Sequence, residues 1–242
     1  MTGAISAAIF DVDGVVVDSP HERAWREALA GYADPARFTT AFYEAYVAGE
    51  PRLDGARAAL ERLRVPNAAV RAQEYAEAKQ ALIERLIAQG SFHAFPDAVR
   101  LASALHAARL KLALASSSKN ADAMMRQIKL PNGTTLMSLF DADLSGREVP
   151  HGKPDPALFL LAADALRIPP ARCMVIEDAP AGIRAARAGG MAALGIARLH
   201  DEAMLRDAGA DLVLTSLDQL DVTALARGTL RARPGPEAAS NA

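Results

Sequence analysis

Five short apolar segments along the chain are predicted to form β-strands. Each is rich in Ala, Val, Ile or Leu, and each is followed by a turn and by apolar residues at helical spacing. This alternation predicts a parallel sheet flanked by helices, and the continuous apolarity predicts strands covered on both faces. The segments are AAIFDV (7–12), LKLALAS (110–116), CMVIED (173–178), MAALGI (191–196) and ADLVLT (210–215). The predicted fold class is α/β, with a Rossmann-like parallel sheet core and helices on both faces.

The first two predicted strands are separated by residues 19–90, a stretch far longer than the dozen or so residues that a crossover between parallel strands needs. Three segments in it have apolar residues at helical spacing. HERAWREALAGY is the first, and DPARFTTAFYEAYVAG follows with Asp34 as N-cap and Pro35 at the first helical position. The third, NAAVRAQEYAEAKQALIERLIAQG, runs from Asn67 as cap to Gly90. The stretch is predicted to be an inserted α-helical cap domain.

The remainder of the chain completes the domain organisation. Residues 1–18 and 91–226 are predicted to form the core, which resumes after the cap with FPDAVRLASALHAARL, a helix opened by Asp97. Residues 227–242 are rich in Pro, Gly, Ala and polar residues without an apolar period, which predicts a disordered tail.

Composition narrows the class of partner. The chain has 242 residues, 51% of them hydrophobic, and a formal net charge of −2, so no general attraction for nucleic acid or an anionic membrane is expected. The lone cysteine, Cys173, cannot form an internal disulfide, and no segment approaches the roughly 20 apolar residues of a membrane span. A cytoplasmic protein that acts on a small molecule is the expectation.

Polar side chains follow three of the predicted strands at the point where each strand ends. Ligands of parallel α/β sheets bind beyond the carboxyl ends of the strands, so these residues are expected to meet at one edge. Any one of them alone reads as a helix cap or a turn residue, but the set does not. The residues are Asp11 and Asp13, then Ser116, Ser117 and Ser118, then Glu177 and Asp178, joined by Lys153 from the turn HGKPDP.

This set of side chains suits phosphoryl transfer. Asp11 and Asp13 can point to the same side of an extended segment, where their mutual repulsion demands a cation. An all-oxygen ligand set fits Mg²⁺ better than zinc, for which no Cys or His spacing is present. A lysine and a serine hydroxyl could then hold phosphoryl oxygens while one carboxylate attacks phosphorus and the other transfers protons.

Four ordered motifs resemble those of the haloacid dehalogenase superfamily of phosphotransferases. They are DVDGV (11–15), the serine of LASSS, the lysine of GKPDP and EDAPAGI (177–183). The resemblance implies that Asp11 is the nucleophile and Asp13 the general acid and base, with Ser116 and Lys153 binding the phosphoryl group. It implies Mg²⁺ as cofactor, held by the Asp11 carboxylate, the Asp13 backbone carbonyl and Asp178, with Glu177 assisting directly or through water.

Within that superfamily the chain is similar to the β-phosphoglucomutase-like subfamily with a helical cap. HERAW matches an early His and Trp of the subfamily's cap, PRLD matches an Arg followed two residues on by Asp, and SKN follows the second motif. The segment linking the first motif to His21 is shorter than in the mutases, and the surroundings of Arg52 differ from the loop that contacts glucose. The substrate-binding residues that this resemblance implies are His21, Arg52, Lys79, Ser117, Ser118 and Asn120.

Three functions stay open at this point. The first is a Mg²⁺-dependent phosphatase acting on small phosphorylated sugars through an aspartyl phosphate, and the second is a β-phosphoglucomutase. The third is an inactive relative that senses a phosphorylated metabolite, against which the intact set Asp11, Asp13, Lys153 and Asp178 argues. In each case the expected partner is a small phosphorylated metabolite, without nucleic acid or membrane, and the expected state is a monomer.

Overall fold

The computed structural model describes residues 4–48, 50–199 and 201–234. Two compact units divide the chain: Ser19–His93 forms a helical unit, and the rest of the described chain forms the core unit. The helical unit ends three residues beyond the predicted boundary at residue 90. The strands, in chain order, are β1 (Ala7–Phe10), β2 (Val17–Asp18), β3 (His93–Ala94), β4 (Lys111–Leu114), β5 (Ala142–Asp143), β6 (Cys173–Glu177), β7 (Ala192–Ile196) and β8 (Leu212–Leu214).

Ten α-helices lie among the described residues. They are α1 (His21–Ala28), α2 (Thr40–Tyr46), α3 (Arg52–Arg62), α4 (Ala68–Ala88), α5 (Pro96–Ala107), α6 (Ala121–Gln127), α7 (Ala157–Leu166), α8 (Pro180–Ala188), α9 (Glu202–Asp207) and α10 (Val222–Ala226). None of them combines the length and the apolarity that crossing a bilayer requires.

The core unit contains a six-stranded parallel sheet in the order β5-β4-β1-β6-β7-β8. The α/β fold class predicted from the sequence is confirmed. All five predicted strands are present, shortened by one to three residues, and β5 is an edge strand that the sequence analysis did not predict. Burial explains the continuous apolarity, because every residue of β1 and of β6 is buried. Side chains of α7 and α8 pack with these strands in one apolar cluster.

The order of the strands determines where a ligand would bind. The chain first adds β4 and β5 on one side of β1, and then returns to place β6, β7 and β8 on the other side. Phe10 at the end of β1 is in register with Leu114 of β4 and with Ile176 of β6. The strand order therefore reverses beside β1, and the residues that follow β1, β4 and β6 come out at the switch point of the sheet.

The helical unit differs from its prediction in two places. The single helix predicted over 34–49 is two elements: a 3₁₀ turn capped by Asp34 and then α2, which Thr39 caps by accepting a hydrogen bond from Phe42 N at 3.1 Å. Phe38 separates the two elements and is fully buried, while Gly49 lies outside the described residues. The second difference is α3, which was not among the predicted helices.

Two predicted helix caps and part of the predicted tail also need correction. Asn67 precedes α4 in a left-handed conformation and makes no side-chain cap, and Phe95 rather than Asp97 occupies the N-cap position of α5. Residues 227–234 of the predicted disordered tail are ordered, since Ala232 forms an antiparallel bridge with Leu220. The remainder of that tail, 235–242, lies outside the described residues.

Candidate active site

Asp11 directly follows β1 and is fixed at the switch point by its own backbone. Its N–H donates to Ile176 O on β6 at 3.0 Å, and on the other side of β1 Ala115 N donates to Phe10 O at 2.8 Å. The side chain of Asp11 is buried. The sheet thus holds one carboxylate away from water at the point where its strand order reverses.

Lys153 joins Asp11 to a second buried carboxylate. It lies in the loop before α7, and its Nζ donates to Asp11 Oδ1 and to Glu177 Oε1, each at 2.6 Å. The ammonium also lies 4.9 Å from the centre of the Phe159 ring. Two buried carboxylates therefore share a single ammonium, and the three groups together carry a charge of −1 when all are ionised.

This arrangement shifts the pKa values of both Asp11 and Lys153. Burial raises the pKa of Asp11 to about 7; Lys153 opposes the rise, whereas the neighbouring carboxylates of Glu177 and Asp13 add to it. Burial alone would lower the pKa of Lys153, but the negative charges of Asp11 and Glu177 outweigh it and raise that pKa. Lys153 is therefore charged at neutral pH, while Asp11 is an acid whose ionisation a further cation would favour.

Glu177 ends β6 and is 1% exposed. Its Oε1 accepts the hydrogen bond from Lys153, and its Oε2 accepts one from Ala179 N at 2.9 Å. A Cβ added at Gly182 on α8 would lie 1.9 Å from Glu177 Oε1, so the helix leaves room for this carboxylate only because residue 182 is glycine. The contacts make Glu177 the residue that holds Lys153, whereas its role as a metal ligand stays a prediction.

Ser116 follows β4 and links that strand to the loop between β1 and β2, residues 11–16, which is called the β1 loop below. Its hydroxyl donates to Asp13 Oδ2 at 3.3 Å and accepts from Ser118 N at 3.1 Å, and its carbonyl accepts from Gly146 N at 2.8 Å. The hydroxyl of Ser118 in turn accepts from Asn120 N at 3.2 Å. Ser118 and Asn120 thus form part of a turn that orients Ser116.

Ser117 is the exposed member of the serine run. Its neighbours Ser116 and Ser118 have their hydroxyls in the turn contacts, whereas Ser117 points to solvent at the carboxyl end of the sheet. The predicted substrate contacts of Ser117, Ser118 and Asn120 stay predictions.

Asp178 lies against the β1 loop. A Cβ added at Gly14 would be 1.8 Å from Asp178 Oδ2, and Gly14 has a φ of +79°, so both the conformation and the close approach require glycine there. Asp178 therefore reaches the loop that also carries Asp11 and Asp13.

These residues fit a magnesium ion. No group of three or more His, Cys, Asp or Glu side chains arranged to hold a metal occurs among the described residues. Mg²⁺ does not need such a cage, because it usually keeps several waters and binds one or two carboxylates together with substrate phosphate. Asp178, whose carboxylate occupies the space that glycine leaves at residue 14, and the buried Asp11 are two such carboxylates.

The predicted cap residues belong to the helical unit, where two of them meet. Lys79 on α4 is 3% exposed, and its Nζ lies 2.9 Å from His21 Nδ1 and 5.1 Å from the centre of the Trp25 ring. Arg52 begins α3, is exposed, and donates to the side chain of Gln80. Arg52 thus reaches the residue next to Lys79, and its role in binding phosphate stays a prediction.

One charged pair near the β1 loop was missed in the sequence analysis. Arg198 follows β7 and donates to both carboxylate oxygens of Asp97, at 2.8 and 3.0 Å. The signal was available, because Arg198 is a polar residue just beyond the end of a predicted strand, where Asp11, Ser116 and Asp178 were found. Asp97 was interpreted only as a helix cap.

Comparison with known proteins gives a consistent set of relatives. The family model described as haloacid dehalogenase-like hydrolase matches residues 5–190. A β-phosphoglucomutase from Mycobacterium bovis is 32% identical over 241 residues, covering 89% of this chain and 91% of that protein. The phosphorylated carbohydrates phosphatase of Thermotoga maritima is 28% identical over 223 residues, covering 90% of this chain and 98% of that protein.

A solved structure and one much longer relative complete the comparison. The crystal structure of an archaeal β-phosphoglucomutase from Pyrococcus sp. strain ST 04 has a TM-score of 0.74 and 33% identity, covering 90% of this chain and 96% of that chain. The chain also matches Protein SUPPRESSOR OF QUENCHING 1 of Arabidopsis thaliana at 28% identity, where it spans only 21% of that protein's length.

Proposed function

The chain belongs to the haloacid dehalogenase-like hydrolase family, and its relatives include a phosphatase and phosphomutases. We propose that this enzyme is a Mg²⁺-dependent phosphatase of small phosphorylated sugars. One observation carries the proposal. The buried ammonium of Lys153 lies 2.6 Å from both Asp11 and Glu177, at the switch point of the sheet. Lys153 places a fixed positive charge beside the Asp11 carboxylate. A carboxylate nucleophile needs such a charge, because it must approach a negatively charged phosphoryl group.

In the proposed reaction, Asp11 is the nucleophile. One of its carboxylate oxygens bonds to phosphorus as the bond from phosphorus to the sugar oxygen breaks, and Asp13 gives its proton to that departing oxygen. Lys153 and the Ser116 hydroxyl hold the non-bridging phosphoryl oxygens. The products of this step are the free sugar and an aspartyl phosphate on Asp11.

Asp13 reverses its role in the second step. It takes a proton from a water molecule, whose oxygen bonds to phosphorus as the bond to Asp11 breaks, and inorganic phosphate is released. When bound, Mg²⁺ would be held by the Asp11 carboxylate, the Asp13 carbonyl and Asp178, and it would neutralise charge on the phosphoryl group. Glu177 holds Lys153 in both steps.

The identity of the substrate is proposed from the relatives. The names of two of them describe action on phosphorylated carbohydrate or glucose phosphate, which supports a sugar phosphate over other esters. A small phosphorylated metabolite as sole partner, a monomeric state and a cytoplasmic location are kept as part of this proposal.

A β-phosphoglucomutase is the second candidate, and one contact favours it. A mutase must hold a second phosphate while the bisphosphate intermediate turns round, and the buried Lys79 and the half-buried His21 place an amino group and an imidazole ring 2.9 Å apart. Arg52, whose guanidinium reaches the residue after Lys79, is the third group of this candidate site.

A single assay separates the two candidates. The purified protein is given Mg²⁺ with a panel of sugar phosphates, and separately with β-glucose 1-phosphate plus glucose 1,6-bisphosphate. Inorganic phosphate and glucose 6-phosphate are followed in parallel. The phosphatase predicts phosphate release from at least one member of the panel. Formation of glucose 6-phosphate that outpaces phosphate release would show the mutase instead.

A further inference from the structure

Arg198 contacts the loop that follows Asp13, and no step of the proposed reaction uses it. Its guanidinium donates from Nε to Gly14 O at 3.2 Å and from Nη2 to Val15 O at 3.1 Å. The same group is centred 3.9 Å from the middle of the Phe95 ring. One side chain from the loop after β7 therefore holds two successive carbonyls of the loop after β1.

Asp97 binds the same guanidinium through its carboxylate. Its two oxygens accept the paired hydrogen bonds from Arg198, and they also accept from Leu217 N and Ala98 N, each at 2.8 Å. Ser216 Oγ adds a fourth, longer donor at 3.3 Å. Burial acts to raise the pKa of Asp97, but the hydrogen bonds from Arg198 and from the Leu217 backbone outweigh it and the pKa is lowered. The Asp97 carboxylate thus accepts charge-assisted hydrogen bonds from a guanidinium, two backbone N–H groups and one hydroxyl.

The β1 loop is otherwise closed by its own backbone. Val16 N and Val17 N both donate to Val12 O at 2.9 Å, and Gly14 N donates to Val17 O at the same distance. Three successive carbonyls, of residues 14, 15 and 16, are left to point away from this turn. Arg198 takes the first two, and Phe95 N takes the third at 2.9 Å.

We propose that Arg198 is a positioning residue, which fixes the peptide after Gly14 and thereby holds the carboxyl group of Asp13 where it can protonate the leaving group. The proposal rests on the function proposed above, in which Asp13 is the general acid. Asp97 supports Arg198 by fixing its guanidinium. Asp13 directly precedes Gly14, and its Oδ2 accepts a hydrogen bond from Ser116 at 3.3 Å, so the position of its carboxyl group depends on the loop that carries it.

A leaving-group comparison tests this assignment. A sugar alkoxide must be protonated as it departs, whereas 4-nitrophenolate leaves without a proton, so only the first depends on Asp13 as an acid. We expect Arg198→Lys to lower kcat/KM about 10- to 100-fold for the primary sugar phosphate that the parent hydrolyses fastest, and less than about 3-fold for 4-nitrophenyl phosphate. Asp97→Asn should give the same selectivity with a smaller loss.

The matched control is Arg187→Lys. Arg187 on α8 pairs with Asp211 through two contacts of 2.8 and 2.7 Å, so the variant repeats the Arg-to-Lys change in another Arg–Asp pair of the same unit. Both kcat/KM values should stay at the level of the parent. Equal losses for the two substrates in Arg198→Lys and Asp97→Asn, or no loss in either, would overturn the proposal. Failure of the proposed function looks different, since the parent itself would then release phosphate from neither substrate.

Discussion

Asp11 and Asp97 are both buried against a cation, yet their pKa values move in opposite directions. Burial raises the pKa of Asp11 to about 7, against the attraction of Lys153. Burial acts in the same sense on Asp97, but there the hydrogen bonds from Arg198 and from Leu217 prevail and the pKa is lowered. The sign of the shift therefore does not follow from burial beside a cation.

The difference lies in what else each carboxylate faces. Asp11 shares its ammonium with Glu177 and has Asp13 nearby, so negative charge exceeds positive charge around it. Asp97 accepts two hydrogen bonds from Arg198 and two from backbone N–H groups, and among the described residues no second carboxylate accepts a hydrogen bond from that guanidinium. The cluster around Asp11 has excess negative charge, which favours binding of a metal ion and takes part in the proposed reaction. In the cluster around Asp97 the carboxylate charge is balanced and hydrogen-bonded, and the pair stabilises the fold.

The largest expected effect is the loss of turnover in Asp11→Asn. A carboxamide oxygen is a poor nucleophile, so kcat for a sugar phosphate should fall about 10⁴-fold or more. The measurement is phosphate release from purified protein in the presence of Mg²⁺. Asp97→Asn is the counterpart in the other cluster and should keep 4-nitrophenyl phosphate turnover within about 3-fold of the parent. Comparable turnover in Asp11→Asn and the parent would contradict the assignment of the nucleophile.

The next effect is expected in Lys153→Met. Removing the ammonium takes away a fixed charge on the phosphoryl oxygens, which should lower kcat about 10²- to 10³-fold. It also leaves two buried carboxylates without their cation, a change that typically destabilises a fold by about 3–5 kcal/mol. Activity assays and urea unfolding of the same preparation measure the two effects.

Lys111→Met is the control for that variant. Lys111 pairs with Asp141 at 2.5 Å, but the two side chains are 54% and 33% exposed and lie at the amino end of the sheet. An exposed pair contributes only about 0–1 kcal/mol, so this variant should resemble the parent in both assays. If Lys111→Met and Lys153→Met lost stability to the same extent, burial would not be what distinguishes them.

The sequence was informative where one rule applied to many residues at once. The rule that polar residues gather beyond the carboxyl ends of parallel strands identified Asp11, Ser116 and Asp178 from separate segments, and the sheet brings those segments to its switch point. Arg198 obeys the same rule but was not identified, because one arginine after a strand has no partner visible in the sequence. Its partner Asp97 lies 101 residues away and precedes a helical pattern, where an acidic residue looks like a cap.

The helix boundaries predicted from cap residues were wrong where two cap residues lie close together. Asp34 and Thr39 are both good cap residues, and each starts its own element, so the predicted long helix is broken at the buried Phe38 between them. The contact of Glu177 with Lys153 was not predictable either, since it depends on the space that Gly182 leaves on α8. Such contacts depend on packing between distant segments, which the spacing of residues along one segment does not record.

The smallest expected effect, and the one that tests the comparison most directly, is the pH dependence of stability in metal-free protein. The pKa of Asp97 is lower in the folded state than its unfolded value, so its stabilisation is present above about pH 4 and is lost as the pH falls through the folded value. We expect Asp97→Asn to lose about 2 kcal/mol at pH 7 and progressively less below pH 4.

Asp11 should show the opposite sign. Its folded pKa of about 7 lies above the unfolded value of 3.8, so the folded state binds the proton more tightly and the contribution of Asp11 to stability falls as the pH rises from about 4 to 7. Asp11→Asn should therefore gain stability over the parent at pH 8 and show little gain at pH 4, measured by urea unfolding with a chelator present.

Added Mg²⁺ should stabilise the parent at pH 8, because a metal that binds only the folded state shifts the unfolding equilibrium, and it should leave the deficit of Asp97→Asn unchanged. Deficits of the same sign in both variants across this range would mean that the two clusters are both structural ion pairs, and that the shortage of positive charge around Asp11 has no functional meaning.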